Sequence, residues 1–255
     1  MPLPHTTYAT YKTLRDLDIT PKSKHPEIDG TWRLGHTASW SRWGDTTGDL
    51  APITASSEVE FQRLPPFTTA VVLLAINWGG NAMGTTSESW RNFHAQGHRG
   101  DGTLKNTFAL TQTRVAEELP ALYMTDVFKL VPTETASKLS SKIKLDLKRG
   151  FDHVDRCAGI LREELTLCKE GAGNNAPTLV AIGDAAFSWL SGHEEDRRIA
   201  EVVDEVLGTG ASARVRRMDH YTFGSGTHES RSAVLQSVLE QSLDPSFGSG
   251  TGAGL

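Results

Sequence analysis

Residues Thr69 to Gly80, TAVVLLAINWGG, decide how this chain reads. Val71, Val72, Leu73, Leu74, Ala75 and Ile76 follow one another without alternation. Both faces of the segment must therefore be covered, as in the central strand of a parallel sheet. The run stops on Asn77 and opens into Gly79 and Gly80. In open α/β sheets the carboxyl ends of the strands border the ligand crevice, because the loops diverge there. A polar side chain at the lip of the most buried strand is thus the first place to look for chemistry.

Working outward, Asn81 to Gly102 form a long polar loop carrying Trp90 and Phe93, and Lys105 to Leu119 read as a helix closed by Pro120. ALYMTDV, ending near Asp126, reads as the next strand. Leu130 to Gly150 read as a polar loop, basic through Lys138, Lys142, Lys144, Lys148 and Arg149. Phe151 to Lys169 have helical apolar spacing, GAGNNAP is a turn, and Thr178 to Ile182 make a third strand leading through Gly183 into the helix DAAFSWL. A helix over His193 to Leu207 follows, then a strand over Ala213 to Met218 that runs into Asp219 and His220, then a last helix near Glu229 to Ser242.

Strands alternating with helices predict an α/β fold: a single-domain three-layer αβα sandwich around a central four-stranded parallel sheet. Residues 67–243 form this domain. Residues 1–66 are expected to be an irregular segment pinned onto it by Trp32, Trp40 and Trp43, and residues 244–255 a disordered tail.

Composition excludes several classes. Of 255 residues 38% are hydrophobic and 22% charged, the balance of an ordinary globular protein. No apolar run approaches the roughly 20 residues of a bilayer span, and the first residues lack a secretory signal, so the expected location is cytoplasmic with no membrane partner. Cys157 and Cys168 lie eleven apart in one predicted helix, about 16 Å, too far for a disulfide. Two cysteines also cannot hold a four-cysteine iron–sulfur cluster. His94 and His98, with Asp101 nearby, have helical metal spacing but no evident third ligand, so neither a metal nor another cofactor is expected.

The four strand ends carry Asn77, Asp126, Gly183 and Asp219 with His220, and there the sequence resembles a family. AINWGG looks like the first motif of the uracil-DNA glycosylase superfamily, in the branches whose water-positioning residue is Asn. ALYMTDVFKLVP is similar to its second strand, LVAIGDAAFSWL to its third strand and helix start, and MDHYTFGSGTHESR stands where the family has its final His-Pro-Ser loop. The resemblance spans Ala70 to Leu239. Trp78 replaces the first motif's Pro, Asp126 the base-reading Asn, and Tyr221 the Pro after the final His.

The resemblance implies a monofunctional DNA glycosylase acting as a monomer in base excision repair, flipping a damaged or deaminated base and hydrolysing its N-glycosidic bond. Asn77 would hold the water and His220 would donate to the leaving base, an interaction aimed at charge that appears only in the transition state. Trp78, Gly79, Trp90, Phe93, Asp126 and Tyr221 would surround the base, Trp90 as stacking platform. Lys129, Lys138, Lys142, Ser225, His228 and Arg231 would contact DNA. Each residue also has a plainer role open to it: Asn77 in an Asx turn, Asp126 paired with Lys129, Trp90 in packing, His220 as a structural histidine. Two other functions compete. One is an inactive glycosylase-like module that binds a nucleotide or a protein. The other is a nucleotide-dependent Rossmann-like enzyme, weakened because Asn81 stands where the fingerprint needs its middle Gly.

Overall fold

In the computed structural model the described residues are 3–25, 27–28, 30–77, 88–115, 118–131, 133, 136–221 and 226–243. Trp78, Gly79, Ser225 and the expected tail at 244–255 lie outside them, as do Gly80, Asn81 and Gly84 of the dinucleotide comparison.

The Thr69 run sits inside β2 (Phe67–Asn77), which pairs in parallel with β3 (Ala121–Phe128) on one side and β4 (Thr178–Ile182) on the other. β5 (Arg216–Met218) continues the parallel set beyond β4. The expected four-stranded parallel sheet gains a fifth strand: β1 (Ser39–Trp40) adds antiparallel to β3, giving the order β1-β3-β2-β4-β5. Thus the first 66 residues are not uniformly irregular. They supply an edge strand and a helix, α1 (Tyr8–Asp16), capped by the Thr7 hydroxyl accepting from the Thr10 N–H.

Helices cover both faces, as the unbroken apolar run required. Val71, Leu73 and Ala75 pack with α3 (Arg99–Arg114) and α8 (His228–Leu243) through Leu104, Phe108, Leu235 and Leu239. Val72, Leu74 and Ile76 face the opposite core, built from α1, α4 (Ala136–Lys148), α5 (His153–Gly171), α6 (Asp184–Ser191) and α7 (Arg198–Leu207). A further short helix, α2 (Glu58–Phe61), precedes β2. The stretch read as a basic loop is therefore largely a helix: Leu139 and Ile143, four apart, are buried on its inner side and the lysines ride its outer turns. Cys157 and Cys168 are buried, free thiols on α5. No helix among the described residues is long and apolar enough to cross a membrane.

Candidate active site at the carboxyl edge of the sheet

Sheet register places the three principal candidates together. Asn77 lies three residues past Leu74, which pairs with Ala181, and His220 lies two past Met218, which pairs with Ile182. Asn77 closes β2, and His220 follows the last residue of β5 by two positions, so both stand at the carboxyl edge of the parallel set, with β4 between their strands. Asp126 pairs with Ala75, one pleat below Asn77 on the neighbouring strand. Because side chains alternate across a strand, Asn77 follows Val71, Leu73 and Ala75 onto the α3–α8 side, and Asp126 follows Leu122 and Met124 there. Asn77 and Asp126 thus share one edge and one face, and His220 joins that edge through its stacking on Tyr221, which packs against the same core.

The loop entering α3 closes this corner. Trp90 and Phe93 both adopt left-handed backbone, with φ of 68° and 63°, a conformation that bulky residues rarely hold without external constraint. The constraint is visible: the Trp90 N–H donates to the Gly35 carbonyl at 2.6 Å and the Ser39 hydroxyl donates to the Trp90 carbonyl at 2.8 Å. Between them, the Asn92 amide donates to the Thr37 carbonyl and to the Asp126 carboxyl, each at 2.8 Å. The Phe93 ring then meets Tyr221 at 6.3 Å, and Tyr221 stacks on His220 at 4.8 Å with planes 14° apart.

Electrostatics single out Asp126. It is 1% exposed, and burial pushes its carboxyl up from 3.8 to about 7, only partly opposed by the Asn92 amide and the nearby Lys129 ammonium. Asp101 on α3 is also raised by burial, although it accepts from the Ala95 N–H at 2.8 Å and pairs with His98 at 2.7 Å. Tyr221 is pushed up by burial and by those two carboxyls. His220 is lowered by burial and by Arg231, which favours a neutral imidazole at neutral pH. Gly183, at φ +88°, lets the β4 end approach this ring: a Cβ there would lie 3.1 Å from His220 Cδ2. A cavity of about 260 Å³ opens alongside, lined by Arg99, Thr103, Tyr221, Gly226, His228 and Arg231.

Several expected roles need correction. Trp90 is fully buried, packs against Tyr11, Trp40 and Tyr123 in the core of the opposite face, and donates its indole N–H to the Tyr11 hydroxyl at 2.7 Å. It has no face left for a base; Phe93, 4% exposed, is packed into the core as well, which leaves the half-buried Tyr221 as the aromatic beside His220. Lys129 cannot touch DNA: it is fully buried, pairs with Glu164 at 2.6 Å and donates to the Asp126 carbonyl at 2.5 Å. It reaches that carbonyl, not the carboxylate, so the direct Asp126–Lys129 ion pair does not form.

Lys142 is spent on Glu27 and Asp146, and both it and the exposed Lys138 ride α4 on the far face of the sheet. Arg231 is 4% exposed and donates to the carbonyls of Asp219 and His220 at 3.2 and 2.8 Å. It fixes the backbone carrying His220 rather than meeting phosphate. His228 lines the cavity with its Nδ1 3.2 Å from the Thr107 hydroxyl. Asn92 and Asp101 escaped the sequence reading. Asn92 lay unmarked in the loop flagged for its length. Asp101, weighed there with His94 as a ligand, is instead bonded to His98 at the start of α3, while His94 is buried against the Trp40 carbonyl and lowered to about 4.

Comparison of this chain with family models, with curated proteins and with solved structures finds no match, so the resemblance rests on the order and spacing of its motifs.

Proposed function

We propose that this protein is a DNA glycosylase that hydrolyses the N-glycosidic bond of a damaged or deaminated base. The observation that supports the reading is the position of Asn77 and His220 at the carboxyl ends of parallel strands, with Asp126 on the same face as Asn77. Breaking the bond leaves a cationic sugar and an anionic base, so the site must serve both charges. Asn77 offers an amide oxygen to hold water beneath the sugar without accepting a proton. His220, neutral by burial, offers an N–H to the departing base, where negative charge develops only as the bond breaks. Tyr221 supplies the stacking surface and Asp126 the group that reads the base.

Release of free base from oligonucleotides carrying uracil, hypoxanthine, xanthine, 5-substituted uracils or mismatched cytosine tests this directly. Release of at least one base is expected, and His220→Ala and Asn77→Ala should each slow it by roughly 10²–10³-fold, the range for removing one transition-state donor. A folded protein that binds these oligonucleotides and releases nothing would instead support the inactive binding module. That second reading has its own observation: Trp90 and Lys129, which the resemblance would place against base and DNA, are both fully buried.

A further inference from the structure

On the far face of the sheet, three residues that take no part in the proposed chemistry converge on one point. His25 comes from the segment after α1, Asp146 from the last turn of α4 and His153 from the first turn of α5. They are 4%, 1% and 0% exposed, and one ligand atom from each lies within 4.8 Å of the others. The Asp146 Oδ2 stands 2.9 Å from His153 Nε2 and 3.3 Å from His25 Nε2. Donor atoms on a tetrahedral zinc-class ion, at roughly 2.0 Å from the metal, lie roughly 3.3 Å from one another. The two carboxylate–imidazole distances already approach that spacing, and the imidazole nitrogens lie within 4.8 Å of each other. Phe151 packs edge-on against both imidazoles, at 4.4 and 4.7 Å, and fixes their planes.

A positive charge is already held there. The Lys142 ammonium bridges Asp146 at 3.2 Å and Glu27 at 2.7 Å, so one carboxylate oxygen faces three nitrogens although it has two lone pairs. In the same arrangement the His153 Nδ1 is buried without a hydrogen-bond partner. A dication would satisfy this crowded oxygen better than three competing donors. We propose that His25, Asp146 and His153 form a binding site for a zinc-class transition dication, with Lys142 as the cation it displaces and Glu27 as the group able to supply a fourth oxygen.

Two imidazoles and a carboxylate are the ligand chemistry of zinc, cobalt and nickel rather than calcium or magnesium. Binding through His25 Nε2 moves that ring's proton to Nδ1, so the Glu27 N–H, which donates to Nδ1 at 3.1 Å, must turn away. The exposed Glu27 sits in a turn closed by the Ile28 N–H on the His25 carbonyl, so the change is local to that turn. Bound there, the ion would clamp the segment after α1 onto α4 and α5. His25 lies 121 residues before Asp146, so no spacing in the sequence announces the site.

The experiment titrates Co²⁺ and Zn²⁺ into the full chain stripped with chelator, following visible cobalt absorption, metal content after desalting and melting temperature. One equivalent per chain, cobalt bands of a four- or five-coordinate site, and a zinc-dependent rise in melting temperature are expected. His25→Ala and His25→Asn, each checked for native folding by circular dichroism because His25 is buried, should weaken binding at least tenfold and abolish that rise. Lys142→Met should tighten binding by about tenfold, because it removes the competing cation. Failure to bind either ion, binding indifferent to His25→Ala and Asp146→Asn, or no tightening in Lys142→Met would overturn the proposal.

Discussion

Asp126→Asn is expected to remove a loss of stability that the wild-type protein suffers as pH rises from 4 through 7. The carboxyl titrates at 3.8 when free and at about 7 in the fold. Between those values the folded protein keeps a proton that the unfolded chain releases, so the stabilisation is complete below pH 3.8 and fades as pH climbs through 7. This is the reverse of a salt-bridged carboxylate. Three decades at about 1.4 kcal/mol each make the difference on the order of 4 kcal/mol. The groups around it explain the direction. Asn92 is the side chain that donates to the carboxyl, the Lys129 ammonium is committed to Glu164 and the Asp126 carbonyl, and Asp101 and Glu164 add like charge.

Denaturant midpoints at pH 4 and pH 8.5 span the effect: the wild type should lose several kcal/mol over this interval and the Asn variant clearly less. The same change tests the proposed chemistry, because a protonated carboxyl presents one donor and one acceptor, as an amide does. Uracil release by the wild type should then fall above pH 7 while the Asn variant holds its rate. Parallel stability curves for the two proteins would mean that Asp126 is already ionised at neutral pH, and the argument from burial would fail.

Lys129→Met should cost about 3–5 kcal/mol, because it leaves the fully buried Glu164 carboxylate without its cation. The loss reaches further, since Glu164 also accepts from the Tyr123 hydroxyl at 2.9 Å and Lys129 donates to the carbonyl of Asp126. In a chain of this length the change lowers the melting temperature by roughly 10 °C. Adding Glu164→Gln, which keeps an acceptor for Tyr123 and removes the stranded charge, should restore most of it. A phosphate-binding lysine would behave otherwise: its loss would leave stability alone and reduce the salt dependence of DNA binding by about one counterion. Unchanged melting with weaker, less salt-dependent DNA binding would show that Lys129 leaves its buried pair in solution.

Local sequence determined a good deal by itself. The unalternating run from Val71 to Ile76 required cover on both faces, and cores on both faces are what it has. The helix–strand alternation after it was enough to predict the parallel sheet, and Asn77 does close β2, whereas Asp126 lies two residues inside β3 and His220 two beyond β5. These features are legible because the covering of a strand and the parallel order of a βα chain follow from short-range pattern.

Tertiary structure alone decided which charged and aromatic residues were available to the carboxyl edge of the sheet. Trp90 and Lys129 carry the chemistry of ligand contacts, but long-range partners consume them: Tyr11, 79 residues away from Trp90, and Glu164 on α5. The edge strand from Ser39 and Trp40, the Asn92 bridge to Asp126 and the meeting of His25 with Asp146 and His153 likewise join segments with no common periodicity. Burial is a property of what packs opposite a residue. A sequence states that opposite surface only through every other residue at once.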